Sequence, residues 1–72
     1  LVTRDQAKTT ALSNAGLEES AVTNLTVQTD IDNGISVFEV EFHDGAAGLE
    51  YDYTINAETG EIIESSKDTI HD

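Results

Sequence analysis

Glu39, Glu41 and His43 sit at two-residue spacing in this chain, and Glu50 and Asp52 repeat the spacing a short way on. Carboxylates and imidazole at alternate positions of an extended strand share one face, so such a trio has the donor types for a zinc ion. A second cluster, Asp30-Ile31-Asp32-Asn33-Gly34, has the acidic spacing that starts a calcium loop. Its glycine comes one place too early for an EF-hand and its flanks read as strands, so a hairpin turn is the stronger reading. A solvated strand face likewise outweighs zinc at Glu39, Glu41 and His43. Covalent catalysis is poorly served. The chain has no cysteine, no serine lies in a nucleophile-elbow pattern, and His43 and His71 have no partner in sequence. Carboxylates on an open sheet are hydrated, whereas a general acid needs a desolvated pocket. Catalytic residues are therefore expected to be none, with no metal and no cofactor.

The charge points to binding. Fifteen acids face three bases, for a net charge of −12 over 72 residues. Nucleic acid is excluded as a partner because phosphate contacts need Lys and Arg. An anionic membrane surface would repel the chain, and no apolar run approaches the length of a span. Basic proteins, cations and cell-wall polymers are the electrostatically suited partners.

Alternation sets where the acids lie. From Ile35 to His43, Phe38, Val40 and Phe42 face one way and Glu39, Glu41 and His43 the other. From Leu49 to Asn56, Leu49, Tyr51, Tyr53 and Ile55 alternate with Glu50, Asp52 and Thr54. A loop at 44–48 joins these strands as a hairpin, so Glu39, Glu41, Glu50 and Asp52 come together on one wet face. Like charges directly opposed cost up to about 1 kcal/mol per pair. That cost makes the four acids the candidate partner-binding residues, for a basic surface or weakly for a divalent cation. The competing reading is a solvated face that keeps the domain soluble. Tyr51 and Tyr53 are expected in the core.

The remaining elements follow in order. Thr3 is an N-cap with Gln6 three residues on, a capping box, and Val2 has staple spacing to Ala7. Ala7, Ala11, Leu12 and Ala15 form one stripe, and Gly16 supplies a left-handed stop. This predicts a helix at about 4–15, whose alanine face suits close packing on a sheet. Residues 18–23 read as a turn or one helical loop. Strands are predicted at about 24–29, 35–43, 49–56 and 61–65, with turns at 30–34 and 57–60 and a frayed tail at 66–72. Val37 breaks the alternation, so a twist or bulge is expected near it. The fold class is α+β: one N-terminal helix across a four-stranded antiparallel meander, in a single domain. A domain this small buries only about 60% of its unfolded surface, and without disulfides its stability has little margin.

Three segments carry a resemblance. Tyr51, Tyr53, Ile55, Ala57, Thr59, Gly60 and Ile62 fall on the closing pattern of the PepSY domain family (peptidase propeptide and YPEB domain), with Asn56 where the family usually has Asp. The helix stripe with Gly16, and Gln6 in the acidic position, is similar to the family's opening segment. Phe38-Glu39-Val40-Glu41-Phe42 is similar to its middle strand. The resemblance implies a cystatin-like arrangement and a non-catalytic, exported module that binds or restrains a peptidase, possible partners including a secreted metallopeptidase. PepSY domains also occur, often in tandem, in bacterial cell-surface proteins, which implies the alternative of a structural or cation-responsive module. An extracellular or cell-surface location is expected, in keeping with the absence of cysteine. A chain that starts at Leu1 is expected to be a piece of a longer protein, with any signal or anchor upstream.

Overall fold

The computed structural model describes residues 1–70. It contains one α-helix, α1 (Arg4–Ala15), a single 3-10 turn at Glu19–Ala21, and four strands: β1 (Thr23–Asp32), β2 (Ile35–Asp44), β3 (Leu49–Asn56) and β4 (Ile62–Thr69). The strands form one antiparallel sheet in the order β1-β2-β3-β4, the predicted meander.

The helix boundaries are fixed by the residues read for them. The Thr3 hydroxyl accepts from Gln6 N at 3.1 Å, and Gln6 Oε1 accepts from Thr3 N at 2.8 Å, which satisfies two of the otherwise unpaired donors of the first turn. Gly16 takes φ 74°, and Leu17 N donates back to Leu12 O at 3.0 Å. Ala7, Ala11 and Leu12 are buried against Phe38, Val40, Phe42, Tyr53 and Ile55, so the helix stripe and one sheet face make a single core. Small alanines bring the helix close, and the three aromatic rings stack beneath its C-terminal half. Phe42 lies 5.2 Å from Tyr51 and 6.0 Å from Tyr53 between ring centroids. Leu25, Val27 and Tyr51 pack at the margin of this core and are only half-buried.

Several boundaries differ from the sequence expectation. The first hairpin turn is Asn33-Gly34 alone, with φ of 53° and 79°, the left-handed pair of a tight two-residue turn. Asp30, Ile31 and Asp32 therefore belong to β1 and pair with Val37, Ser36 and Ile35. The bulge expected near Val37 is absent, because β2 pairs continuously through that residue on both sides. The register shifts instead between Thr23 and Thr26 of β1, where Asn24 has φ 55°, and between β3 and β4, where Ile63 is the extra residue. Val37 is buried, at 1% exposure, on the sheet face away from the helix, between Asp30 and Asn56. Finally, 66–69 is not a tail: β4 runs on to Thr69, and Ile70 N donates to Gly48 O at 3.0 Å. The Ser-Ser-Lys-Asp run of this edge strand is exposed throughout, so it carries no apolar alternation to announce it. The last residues of the expected tail, His71 and Asp72, lie outside the described residues.

The third hairpin turn, between β3 and β4, is tied to the N-terminus. Val2 N donates to Ala57 O at 2.8 Å. Asn56 Oδ1 accepts from Glu58 N at 2.8 Å and Thr59 N at 3.2 Å, so the side-chain oxygen builds the turn much as a carboxylate oxygen there would.

Candidate interaction surface

The helix covers one face of the sheet and leaves the other open. Strand register decides what stands on the open face. Glu41 is directly opposite Asp52, Glu39 is opposite Thr54, and His43 is opposite Glu50. On the far side of β3, Glu50 faces Asp68, Asp52 faces Ser66 and Thr54 faces Glu64. On β1, Gln28 faces Glu39 and Thr26 faces Glu41. The structure thus brings Glu39, Glu41, Glu50 and Asp52 onto one face but in unequal surroundings. Glu41 and Asp52 oppose each other; Glu39 has neutral neighbours across both ladders; Glu50 lies between His43 and Asp68.

Glu64 and Asp68 were not among the acids read from the sequence for this face. Glu64 lies within the expected strand 61–65 and Asp68 beyond its end. Plain alternation from the inward Ile62 puts both on the helix side; the extra residue Ile63 turns them to the open face. They carry the acidic face to the sheet edge.

His43 stands between Asn24 and Glu50 on this face. Its Nε2 lies 3.5 Å from Glu50 Oε2, and its Nδ1 lies 3.3 Å from Asn24 Nδ2. With the Asn24 amide as donor, Nδ1 accepts and the ring proton sits on Nε2, towards the carboxylate. Glu39, Glu41 and His43 share a face as read, but residues two apart on a strand lie about 6.5–7 Å from each other. Among the described residues no group of three or more His, Asp or Glu side chains converges as a metal site would. The Asp30–Gly34 segment is a hairpin, and Asp30 Oδ1 accepts from the next backbone amide, Ile31 N, at 2.8 Å.

The bases lie elsewhere. Arg4 and Lys8 are on α1, and Lys8 pairs with Glu19 at 3.1 Å and Asp5 at 3.6 Å. The hydrogen bond to Glu19 is the main reason the Lys8 ammonium is held above its usual pKa. Lys67 pairs in register with Tyr51, whose ring packs on the helix side, so Lys67 stands on that side too. Among the described residues the open face carries acids, His43 and neutral side chains, and no Lys or Arg.

On the helix side, α1 crosses β1, β2 and β3 but packs little on β4. This leaves a cleft of about 290 Å³ lined by Asn14, Ala15, Tyr51, Tyr53, Ser65, Ser66 and Lys67. Tyr53 Oη donates to Asn14 Oδ1 at 3.0 Å at its inner end. Burial, and to a lesser extent the neighbouring Tyr51 hydroxyl, raise the Tyr53 phenol above its usual pKa. Among the described residues, no helix is long and apolar enough to cross a membrane.

The family model for the peptidase propeptide and YPEB domain, PepSY, matches residues 1–65. An uncharacterized protein of Streptococcus pyogenes serotype M6, Spy1430, is 38% identical over 71 residues, which covers 99% of this chain and 53% of that protein. The chain therefore spans about half the length of the curated relative it matches. No solved structure gives a significant match.

Proposed function

The chain belongs to the PepSY family, and from that premise we propose that it is a non-catalytic binding module of an exported protein that restrains a secreted peptidase by docking on a basic surface. The observation that carries this reading is the segregation of charge. Glu39, Glu41, Glu50 and Asp52, flanked by Glu64 and Asp68, occupy the uncovered sheet face, while Arg4, Lys8 and Lys67 stand on the helix side. Directly opposed Glu41 and Asp52 carry a repulsion that a Thr or Lys at either place would avoid. A basic partner removes it. The −12 field would act mainly on the rate of association, and binding would weaken with salt over a screening length of about 8–10 Å.

The test is a variant with Glu39, Glu41 and Glu50 changed to Gln and Asp52 to Asn. Its melting temperature and its inhibition of the secreted metallopeptidases of the organism that makes it would be compared with the parent. The docking role predicts lost inhibition together with equal or greater stability. Unchanged inhibition at micromolar concentration would reduce the face to a solvated surface. If added calcium raised the melting temperature of the parent but not of the variant, the face would be cation-responsive instead.

A further inference from the structure

The two edges of the sheet are not equivalent. In a two-residue hairpin the residues flanking the turn form a hydrogen-bonded pair, and pairs then alternate along the ladder. Asp32 and Ile35 flank Asn33-Gly34, so Asp30, Gln28 and Thr26 bond inward to β2. Thr29 and Val27 direct their backbone groups outward, to the free edge of β1. Carried across the sheet, the same alternation turns Glu64, Ser66 and Asp68 inward to β3 and leaves the backbone groups of Ser65, Lys67 and Thr69 on the free edge of β4. The hydrogen bonds from Ala57 N to Ser36 O, 2.9 Å, and from Ile70 N to Gly48 O, 3.0 Å, fit this phase.

On β1, the edge carbonyl of Val27 is occupied, because the Arg4 guanidinium donates to it from the start of the helix. A side chain placed there stops another strand from pairing at the middle of the edge. On β4, no side chain among the described residues hydrogen-bonds to the backbone of Ser65 or Lys67, and Thr69 N donates to Oδ1 of the adjacent Asp68 at 2.8 Å. Beside them on the helix side lies the cleft walled by Asn14 and floored by Tyr51. On the other side lie Glu64 and Asp68.

We propose that the free edge of β4 takes up an extended segment of a partner protein as a fifth strand, with Lys or Arg at every second position and small or apolar residues between. The inference rests on the reading that this domain binds protein, and adds the edge and the sequence pattern of the segment bound. Side chains of an added strand alternate between faces. One set would stand beside Glu64 and Asp68, extending the ladder of acids, where cations are favoured. The other set would enter the cleft, where Lys67 disfavours a second base and the Tyr51 ring offers apolar surface. A second copy of this chain fits poorly, because pairing β4 with β4 brings together the Glu64 and Asp68 carboxylates of two molecules of net charge −12.

The probe is a short labelled peptide in which Lys and Val alternate, with a peptide of the same composition in two blocks as control. Binding is followed by fluorescence anisotropy and by amide hydrogen exchange. The alternating peptide should bind at least about tenfold more tightly than the block peptide, the equivalent of one or two edge hydrogen bonds. It should slow exchange at Ser65 and Lys67, and leave Ser66, already bonded to β3, unchanged. Lys67→Pro removes an outward N–H and no ladder bond, so the sheet tolerates it. It should weaken binding by about tenfold or more even though it deletes a repelling charge, whereas Thr29→Pro on β1 should leave binding intact. Unprotected edge amides in the parent, or equal binding by Lys67→Pro, would overturn the proposal, as would protection of those amides by self-association without peptide. If neutralising the four acids abolishes peptidase inhibition while the edge amides stay unprotected, face docking stands and the edge proposal fails. Protected edge amides without inhibition of any peptidase give the reverse result.

Discussion

Glu41 of β2 and Asp52 of β3 face each other directly across the antiparallel ladder, both exposed, with Thr26 and Ser66 as their outer neighbours. Two carboxylates at the closest cross-strand position repel, and no Lys or Arg stands beside them. Asp52→Lys would turn the repulsion into an attraction. We expect it to stabilise the domain by about 0.5–1 kcal/mol at low salt, with the gain shrinking in high salt. Chemical denaturation at two ionic strengths checks this. An unchanged midpoint would mean that solvent already screens the pair.

Phe38 and Phe42 project from the same face of β2 into the helix-side core, at 7% and 0% exposure. Either Phe→Ala change should cost about 3–5 kcal/mol, a large part of the stability of a domain of this size. Circular dichroism should show the variants largely unfolded at room temperature. A variant that melts like the parent would remove that ring from the core.

Gly60 should resist substitution for two reasons. Its φ is 80°, and a Cβ there would lie 3.2 Å from Val2 Cγ2. Gly60→Ala is expected to cost about 1–2 kcal/mol from backbone strain alone. It should also loosen the N-terminal segment, visible as faster exchange of the Val2 amide that donates to Ala57 O. Gly34→Ala has the same strain but open space around the new methyl. If the two variants were equally stable and Val2 exchange did not change, the contact with Val2 would carry no weight.

Tyr53 should make the domain sensitive to alkali. Its phenol is raised above the ordinary value of 10.0, chiefly by burial. The folded state therefore holds the proton more tightly than the unfolded chain. The associated stability is fully present below pH 10 and is lost as pH rises through the folded value. Tyr53→Phe should flatten this alkaline decline. It should cost about 0.5–1.5 kcal/mol at neutral pH through loss of the bond to Asn14. An alkaline denaturation curve with the same slope in both proteins would rule out Tyr53 as its source.

The sequence by itself determined the elements whose boundaries rest on local chemistry. Thr3 with Gln6, Gly16, and Asn33-Gly34 each set a cap or turn through bonds within a few residues, and each appears where the residues place it. Strict alternation around Phe38, Val40, Phe42, Tyr53 and Ile55 identified one buried face, because a period of two leaves a strand only two ways to face. The same alternation put Glu39, Glu41, Glu50 and Asp52 on the opposite side. Tertiary structure alone decided which acid meets which. Cross-strand partners depend on register, so only the ladder reveals that Glu41 opposes Asp52 while Glu50 has His43 beside it. It also decided the full length of β4: an edge strand with both faces wet needs no apolar pattern, and pairing with β3 holds Ser65 to Thr69 in place. The guard on the β1 edge was equally hidden, since Arg4 and Val27 are far apart in sequence and meet only when the helix crosses the sheet.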